Sequence, residues 1–357
     1  MSDPVSVGDF ERLAEAVLPK AVWDYVSGGS GSETTLAANR AALDAVSLLP
    51  RVLAGAAAAD TRCQLLKTEA NSPVATAPMA YQRLVHPDGE LALAEAARDA
   101  GIPYVVSTLS STAIEEIAGV GAAFWFQIYW LRERSHVDGL VARAEEAGAE
   151  ALVVTVDVPL VGRRLRDVRN EFSLPEDVVA ANLVGPPRAG AQARVRGASA
   201  IAVHTSEIFA PALGWRDLEW LRERSTLPLV IKGILDPRDA VRAVEVGADA
   251  VVVSNHGGRQ LDGASASIVA LPAIVEAVGA QCQVLLDSGI RSGTDVLRAL
   301  ALGAVGVLVG RPLLWGLAVD GVDGARRVLS LLSEELRDAL TLAGCADPTV
   351  ARTLAVR

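Results

Sequence analysis

The chain is poor in cysteine, and it lacks any long apolar run. Only three cysteines occur among 357 residues, Cys63, Cys282 and Cys345, and their odd number and wide spacing argue against a disulfide framework and against a metal site built from them. Reduced thiols of this kind are typical of intracellular proteins. No apolar run reaches the roughly 18 residues that a membrane-spanning helix needs. The start, Met1-Ser2-Asp3-Pro4, lacks the basic and apolar segments of a secretory signal. These features predict a cytoplasmic protein without a metal.

Basic residues are also in short supply. Lys and Arg number 33 against 43 Asp and Glu, so the formal net charge is −10. This acidic balance argues against nucleic acid or an anionic membrane as the main partner. Apolar residues make up 51% of the chain, enough for a large core, and the length suits either two ordinary domains or one large α/β barrel. We therefore expect a globular protein with a small-molecule partner.

Short apolar runs alternate with amphipathic stretches along most of the chain. A helical region is predicted from about Val7 to Asn39, broken by the glycine cluster at 28–31. Helical spacing predicts helices at Gly89–Ala100, Val137–Ala147, Pro237–Val246 and Gly293–Leu302, several of them followed by glycine, as helix ends prefer. The predicted strands are Val74–Ala77, Tyr104–Ser107, Phe124–Tyr129, Ala151–Asp157, Leu229–Lys232, Ala250–Asn255, Val284–Asp287 and Gly306–Gly310.

Eight such strand and helix units predict one α/β fold, a (β/α)8 or TIM barrel, in a single domain over residues 1–357. Strands rich in Val, Ile and Leu on both faces indicate a parallel sheet covered on both sides. An open doubly wound sheet is the alternative, but no G-x-G-x-x-G follows the first strand. The barrel is expected over about residues 70–320, after the N-terminal helical segment. Residues 175–214, after the fourth strand, show little periodicity, and we interpret them as a long lid loop or, equally, a plain insertion.

The segment Val253–Asp262, with the sequence VSNHGGRQLD, carries the chemistry that stands out most. Histidine accepts a proton near neutral pH, and arginine offers a planar fork suited to a carboxylate. Here His256 and Arg259 flank two glycines that allow a tight turn after a buried strand. The pattern predicts proton abstraction from a substrate that bears a carboxylate.

Polar residues occur at the ends of all eight predicted strands, where a barrel places its active site. Glycine and arginine follow the seventh and eighth strands, at Asp287–Gly293 and Gly310–Arg311, a frequent phosphate position in barrels. A phosphate site beside a histidine and a lysine favours flavin mononucleotide (FMN) over a nicotinamide dinucleotide. The other strand ends carry Ala77, Pro78, Met79, Ala80, Ser107, Gln127, Tyr129, Thr155, Asp157, Lys232 and Ser254.

Several motifs together resemble the FMN-dependent 2-hydroxy acid oxidases and dehydrogenases, which include glycolate oxidase, lactate oxidase and mandelate dehydrogenase. The resemblance runs from about Phe10 to Cys345, and within the family the segments 77–84 and 162–167 look most like the actinobacterial hydroxymandelate oxidases. It rests on the motifs DYVSGG at 24–29, HPDGE at 86–90, FQIY at 126–129, TVDVP at 155–159, GRR at 162–164, KG at 232–233, the His256 segment, GA at 303–304 and GRP at 310–312.

The resemblance implies a role for each matching position. His256 is the base, Asp157 orients it, Tyr129 contacts the substrate, and Lys232 lies beside the flavin. Arg164 and Arg259, with Tyr25, hold the substrate carboxylate. The implied FMN-binding residues are Ala77, Pro78, Met79, Ala80, Ser107, Gln127, Thr155, Lys232 and Ser254 around the ring, and Asp287, Gly289, Arg291, Gly310 and Arg311 around the ribityl and phosphate groups.

The implied reaction is oxidation of an (S)-2-hydroxy acid to a 2-oxo acid, with O2 as acceptor and H2O2 as product. An apolar pocket of Met79, Leu109, Leu160 and Val161 would favour mandelate or 4-hydroxymandelate, and lactate or another short aliphatic acid is the alternative. The alternative of an electron acceptor other than O2 stays open. The choice between removal of the hydroxyl proton and removal of the α-proton also stays open. An FMN-dependent isomerase would need no arginine pair, and a non-catalytic FMN protein would need no His256. The resemblance also implies a homotetramer or octamer.

Overall fold

Eight parallel strands form one sheet that curves into a barrel. The computed structural model describes residues 4–55, 58–183, 196–197 and 199–357. An antiparallel hairpin, β1 (Cys63–Leu65) and β2 (Thr68–Ala70), precedes the barrel. The barrel strands are β3 (Val74–Thr76), β4 (Tyr104–Ser107), β5 (Phe124–Ile128), β6 (Ala151–Thr155), β7 (Leu229–Ile234), β8 (Ala250–Val253), β9 (Gln283–Leu286) and β10 (Gly306–Val309). Each of the eight predicted strands overlaps one of these, whereas the hairpin was not predicted.

The sheet order brings the first barrel strand beside the last. Strands run in the order β3, β10, β9, β8, β7, β6, β5, β4, and Val74 of β3 pairs with Val307 of β10. Between β3 and β4 the gap is bridged by Thr76, whose backbone N–H donates to Pro103 O (3.0 Å) and whose hydroxyl oxygen accepts from the Val105 N–H (2.7 Å). The predicted barrel, rather than the open sheet, is therefore confirmed.

Side chains from alternate strand positions fill two separate layers. Trp125 of β5 is fully buried inside the barrel with small and branched neighbours, and Leu65 of the hairpin packs into the same cluster. The opposite strand faces, for example Phe126, pack against the surrounding helices. Because both faces of each strand are buried, the strands read as continuous apolar runs in the sequence.

Helices surround the barrel, and three further helices precede it in the chain. The elements before the fourth barrel strand are α1 (Val7–Val17), α2 (Lys20–Ser27), α3 (Thr34–Ala45), α4 (Gly89–Ala100), α5 (Ile114–Ala118) and α6 (Arg134–Glu146). Those after it are α7 (Leu165–Arg169), α8 (Ala200–Ile208), α9 (Trp215–Arg224), α10 (Pro237–Glu245), α11 (Ser267–Val278), α12 (Gly293–Ala301), α13 (Arg311–Leu342) and α14 (Pro348–Ala351). Short 3-10 turns occur at Gln82–Leu84 and His256–Gly258.

Helix boundaries follow the local chemistry that the sequence shows. Helix α4 matches its predicted bounds, and Gly101 ends it with a φ of +64°, a conformation that a side chain would strain. The N-terminal region contains three helices, since Pro19 separates α1 from α2 and the glycine cluster separates α2 from α3. Helix α13 is broken at Asp320 and Gly321, close to the predicted end of the barrel.

The segment 175–214 differs in part from the predicted loop. Helix α8 lies within it, and Phe209 directly after that helix forms a bridge with Leu131. Residues 184–195 and 198 of the segment lie outside the described residues, so the lid interpretation stays a prediction. Across the part of the chain that the structure describes, no helix is both long enough and apolar enough to cross a membrane.

Candidate active site

A cavity opens at the carboxyl ends of the barrel strands, beneath helices α2 and α8. It encloses about 1150 Å³, counting its open mouth. Of the residues singled out in the sequence, those that line it are Tyr25, Ala77, Pro78, Met79, Ala80, Leu109, Tyr129, Val161, Arg164, Lys232, His256, Arg259, Asp287, Gly289, Arg291, Gly310 and Arg311. The strand ends thus converge on one space, as the barrel geometry predicts.

His256 is held against Asp157 by a hydrogen bond. His256 Nδ1 lies 2.9 Å from Asp157 Oδ1, and the histidine backbone N–H donates to the Ser254 hydroxyl (3.0 Å). Because a carboxylate only accepts, Nδ1 carries the proton and Nε2 keeps its lone pair. Burial lowers the pKa of His256, and Asp157 opposes that effect. His256 also has a φ of +59°, a strained conformation found at functional sites.

A buried lysine lies on the same side of the cavity. Lys232 Nζ is 2.9 Å from Asp287 Oδ2 and donates to the Ser254 hydroxyl at 3.0 Å. Burial alone would lower the pKa of Lys232, but the carboxylates of Asp287 and Asp157 outweigh it, so the pKa is raised. The ammonium group therefore remains charged at neutral pH.

Two guanidinium groups approach the ring of Tyr25. The central guanidinium carbon of Arg259 lies 5.1 Å from the ring centroid and that of Arg164 lies 5.8 Å from it. Phe172 stacks on Tyr25 with its ring centroid 4.7 Å away. The Arg164 side chain is 12% exposed, whereas the neighbouring Arg163 is exposed, which agrees with the choice of Arg164 as the cavity residue.

Arginines also fasten helix α2 over the barrel mouth. Arg259 Nη1 donates to Tyr25 O (2.7 Å) and Gly28 O (2.8 Å), and Arg311 Nη2 donates to Gly28 O (2.9 Å). Arg311 Nε donates to Val26 O at 2.9 Å. The last carbonyl groups of a helix lack partners within it and carry partial negative charge, so these cations satisfy and stabilise that end.

Positive charge is in excess on the cavity wall. Among the described residues, Arg259, Arg291 and Arg311 form no ion pair with a carboxylate, although all three line the cavity. Burial lowers the pKa of Arg259 and of Arg291 to about 10 and that of Arg311 well below its ordinary value. Half-buried guanidinium groups that have no carboxylate partner favour anionic ligands. The cavity is therefore suited to hold more than one anionic group.

Comparison with known proteins identifies the family. The profile described as "FMN-dependent dehydrogenase" matches residues 14–356. The chain belongs to the FMN-dependent dehydrogenase family. It is 55% identical to 4-hydroxymandelate oxidase of Amycolatopsis orientalis, with 98% of this chain and 97% of that protein covered. It is 48% identical to L-lactate oxidase of a Nostoc species, over 97% of this chain and 96% of that protein.

A solved structure matches the whole fold. The crystal structure of mandelate oxidase with (S)-4-hydroxymandelic acid superposes with a TM-score of 0.97 at 54% identity, covering 99% of each chain. The predictions of family, barrel fold and FMN as cofactor are confirmed by these matches.

The residues present fit the phosphate of FMN. Arg291 lies in the loop after β9 and Arg311 is the first residue of α13, and both are half-buried cations. Gly310 leaves space between them and the first barrel strand, because a Cβ there would come no nearer than 3.5 Å to Ala77. Helix α13 begins directly after Gly310, and helix N-termini attract phosphate. These groups would hold the phosphate, while Ala77–Ala80 would contact the ring; both assignments remain predictions.

Five of the predicted site residues lie behind the lining. Asp157 is hydrogen-bonded to His256, which does line the cavity. The Ser107 hydroxyl donates to Gln127 Oε1 (3.2 Å), and Gln127 Nε2 donates to the Thr155 hydroxyl (3.1 Å), while Ser254 joins Lys232 to the His256 backbone. These polar groups are buried and satisfy one another, so their predicted contact with FMN stays a prediction.

The apolar part of the wall was predicted only in part. Met79, Leu109 and Val161 line the cavity, but Leu160 was a wrong prediction, because its side chain is 68% exposed. The sequence reasoning missed Ile201, Thr205 and Phe209 of helix α8 and its end, together with Val158 and Gln260. The spacing of four residues between Ile201, Thr205 and Phe209 could have predicted a helix face, but the irregular composition of the surrounding segment obscured this periodicity.

Proposed function

We propose that this protein oxidises (S)-2-hydroxy acids with an aryl side chain, mandelate or 4-hydroxymandelate, to the corresponding 2-oxo acids, with O2 reduced to H2O2. One observation carries the proposal. The His256–Asp157 pair and the unpaired guanidinium of Arg259 line the same cavity as an apolar wall, so one small molecule can contact a base, a cation and apolar surface together.

The substrate carboxylate is held by arginine. Arg164 and Arg259 line the same cavity, and a planar guanidinium binds a carboxylate through two hydrogen bonds. Arg164 lies 3.8 Å from Asp167 Oδ2, a long contact that a substrate carboxylate can replace. Tyr129 lines the same cavity, and burial raises its pKa, so its hydroxyl stays protonated and can donate to the substrate.

His256 removes one proton from the bound hydroxy acid through Nε2. Asp157 stabilises the imidazolium that forms, and Lys232 supplies a fixed positive charge within the cavity. When bound, FMN would supply the two-electron redox chemistry that connects the substrate to O2. In the whole reaction the substrate loses two electrons and two protons, and O2 gains the same to become H2O2.

The apolar wall supports an aryl substrate. Met79, Leu109, Ile201 and Phe209 surround the cavity together with Thr205, whose hydroxyl donates to Ile201 O at 2.8 Å and can still accept a hydrogen bond. A phenolic substituent supplies such a donor. The relatives named 4-hydroxymandelate oxidase and mandelate oxidase support this choice, and the L-lactate oxidase relative supports the alternative of a short aliphatic substrate. Helix α8 would then act with the rest of residues 175–214 as a lid.

The test is anaerobic flavin absorbance during separate titrations with (S)-mandelate, (S)-4-hydroxymandelate, (S)-lactate and glycolate, followed by readmission of air. Bleaching by the aryl acids and fast recovery with peroxide formation is the expected result. Preferential bleaching by lactate or glycolate would move the substrate assignment to short aliphatic acids. Slow recovery in air would replace O2 with another acceptor.

We further propose a cytoplasmic homo-oligomer, a tetramer or octamer, on the basis of the family resemblance and of the three cysteines, which form no disulfide. Light scattering on the purified holoenzyme measures the assembly. A monomeric mass would contradict this proposal.

A further inference from the structure

Four of the site residues come from two loops whose strands are not neighbours in the sheet. Asp157 and Arg164 follow β6, whereas His256 and Arg259 follow β8. Strand β7 lies between β6 and β8 in the sheet. Strand pairing through β7 fixes the ends of β6 and β8 but not the course of the loops that follow, so contacts between the loops contribute to their separation.

Gln260 makes that contact with its side-chain amide. Its Nε2 donates to Asp157 O at 2.7 Å and to Leu160 O at 2.8 Å, and its Oε1 accepts from the Gly162 N–H at 2.9 Å. All the hydrogen-bonding groups of the amide thus bind the backbone of the loop after β6. Gln260 follows Arg259 directly, and the backbone atom it holds most tightly belongs to Asp157.

The backbone at Gly162 is shaped for this contact. A Cβ added there would lie 2.3 Å from Arg259 O and 2.8 Å from Gln260 Cα, far inside normal contact. Because both of those atoms are backbone, no side-chain rotation could relieve the clash. The two loops therefore touch at a position where only glycine fits.

We propose that Gln260 is a positioning residue that clamps the loop of Asp157 and Arg164 to the loop of His256 and Arg259. The clamp sets both the His256–Asp157 hydrogen bond and the separation of the two guanidinium groups. The catalytic consequence rests on the proposed function, whereas the clamp itself is a property of the fold and can be measured without substrate.

Loss of the clamp changes the surroundings of His256 in a defined direction. The charged groups around the imidazole are Asp157 and Arg164 from one loop, Lys232 from β7, and Arg259 and Arg311 on the cavity wall. Among these only Asp157 is an anion in contact with the ring, and it favours the protonated form. A displaced Asp157 therefore moves the acidic limb of the kcat/KM pH profile to lower pH.

The test uses Gln260→Met, which keeps the length of the side chain and removes all three hydrogen bonds, and Gly162→Ala, which forces the loops apart. Leu261→Met is the matched control, because its side chain is 74% exposed and the same residue is introduced next to Gln260. Three quantities are measured on the holoenzymes: hydrogen exchange of residues 157–163, the dissociation constant of benzoylformate from flavin absorbance, and kcat/KM against pH with (S)-mandelate.

For Gln260→Met and Gly162→Ala we expect the backbone amide of residue 162 to exchange at least about tenfold faster, since it loses Gln260 Oε1 as its acceptor. Benzoylformate binding weakens and kcat/KM falls by on the order of tenfold to hundredfold, as for misplaced catalytic groups. The acidic limb moves to lower pH, and Leu261→Met matches the wild type.

Unchanged exchange would overturn the clamp. Faster exchange with unaltered kcat/KM, product binding and pH profile would show that the clamp supports stability alone and would overturn the positioning role. A wild-type enzyme that oxidises none of the hydroxy acids would instead refute the proposed function, and exchange would still decide whether the clamp exists. If Gly162→Ala fails to fold, Gln260→Met decides by itself.

Discussion

Replacing Asp157 with asparagine tests the role of the charge beside His256. The carboxylate Oδ1 accepts from Nδ1 at 2.9 Å, with the aspartate and histidine side chains only 13% and 18% exposed. Asparagine keeps the shape and an acceptor oxygen. Its amide nitrogen can take the place of Oδ2, which has no hydrogen-bond partner among the described residues. The substitution removes the charge, and it also places an N–H donor where no acceptor lies among the described residues.

The magnitude follows from the difference between a charged and a neutral hydrogen bond. A hydrogen bond to a charged group contributes about 1.5–3 kcal/mol and a neutral one about 0.5–1.5 kcal/mol, a loss of about 1–2 kcal/mol. The same loss favours the neutral imidazole over the imidazolium, so the pKa of His256 falls. The imidazolium formed during proton removal loses the same stabilisation, so the rate constant of the chemical step falls by about fivefold to thirtyfold.

The assay is stopped-flow reduction of the flavin by (S)-mandelate without oxygen, over a range of pH. We expect a lower plateau rate and an acidic limb displaced to lower pH, because the free base then forms at lower pH. Asp138→Asn is the control, since Asp138 is half exposed and makes only a surface ion pair with Arg224. An unchanged plateau rate, or an acidic limb displaced to higher pH, would refute the assigned role of Asp157.

Three further substitutions test other parts of the site. Thr205→Val should lower kcat/KM for 4-hydroxymandelate relative to mandelate by about fivefold, which corresponds to the free energy of one neutral hydrogen bond. Thr205→Ser should leave the ratio of the two kcat/KM values unchanged. Equal losses of kcat/KM for both substrates would contradict the predicted contact. Arg291→Leu should weaken FMN binding by about tenfold to hundredfold in equilibrium dialysis, because it removes a charged partner; unaltered affinity would exclude Arg291 from the phosphate site. Burial raises the pKa of Asp167, so its charged form opposes folding at neutral pH, and this penalty fades as pH falls through the raised pKa. Asp167→Asn should therefore raise the Tm at pH 7 and raise it less at about pH 5, and a lower Tm at pH 7 would contradict this reasoning.

The sequence allowed the barrel to be predicted because its strands are buried on both faces. Runs such as Ala151–Thr155 stand out from amphipathic helices that end at glycine. The hairpin at Cys63–Ala70 was missed, since two strands of three residues give too little alternation to recognise. Helix α8 was missed because its few helical positions lie in a segment rich in Ala, Gly and Pro.

The candidate site was predicted as a set of residues but not as a set of contacts. Barrel topology brings all strand ends to one mouth, which is why His256 and Lys232 could be assigned to one cavity. The pairing of Lys232 with Asp287 and the stacking of Tyr25 on Phe172 join elements far apart in the chain. Such contacts depend on packing between elements, and local sequence patterns do not predict them. The same holds for Leu160, whose apolar character gave no sign that it faces solvent.

The pairing of β3 with β10 has a consequence during synthesis of the chain. About 230 residues separate Val74 from Val307, its partner in the last barrel strand, and a ribosome adding 5–20 residues per second needs roughly ten to fifty seconds to make them. Until then one edge of β3 has no strand beside it, and unpaired edges invite association with other chains. The edge of β3 is therefore open to association with other chains until the last barrel strand has been made.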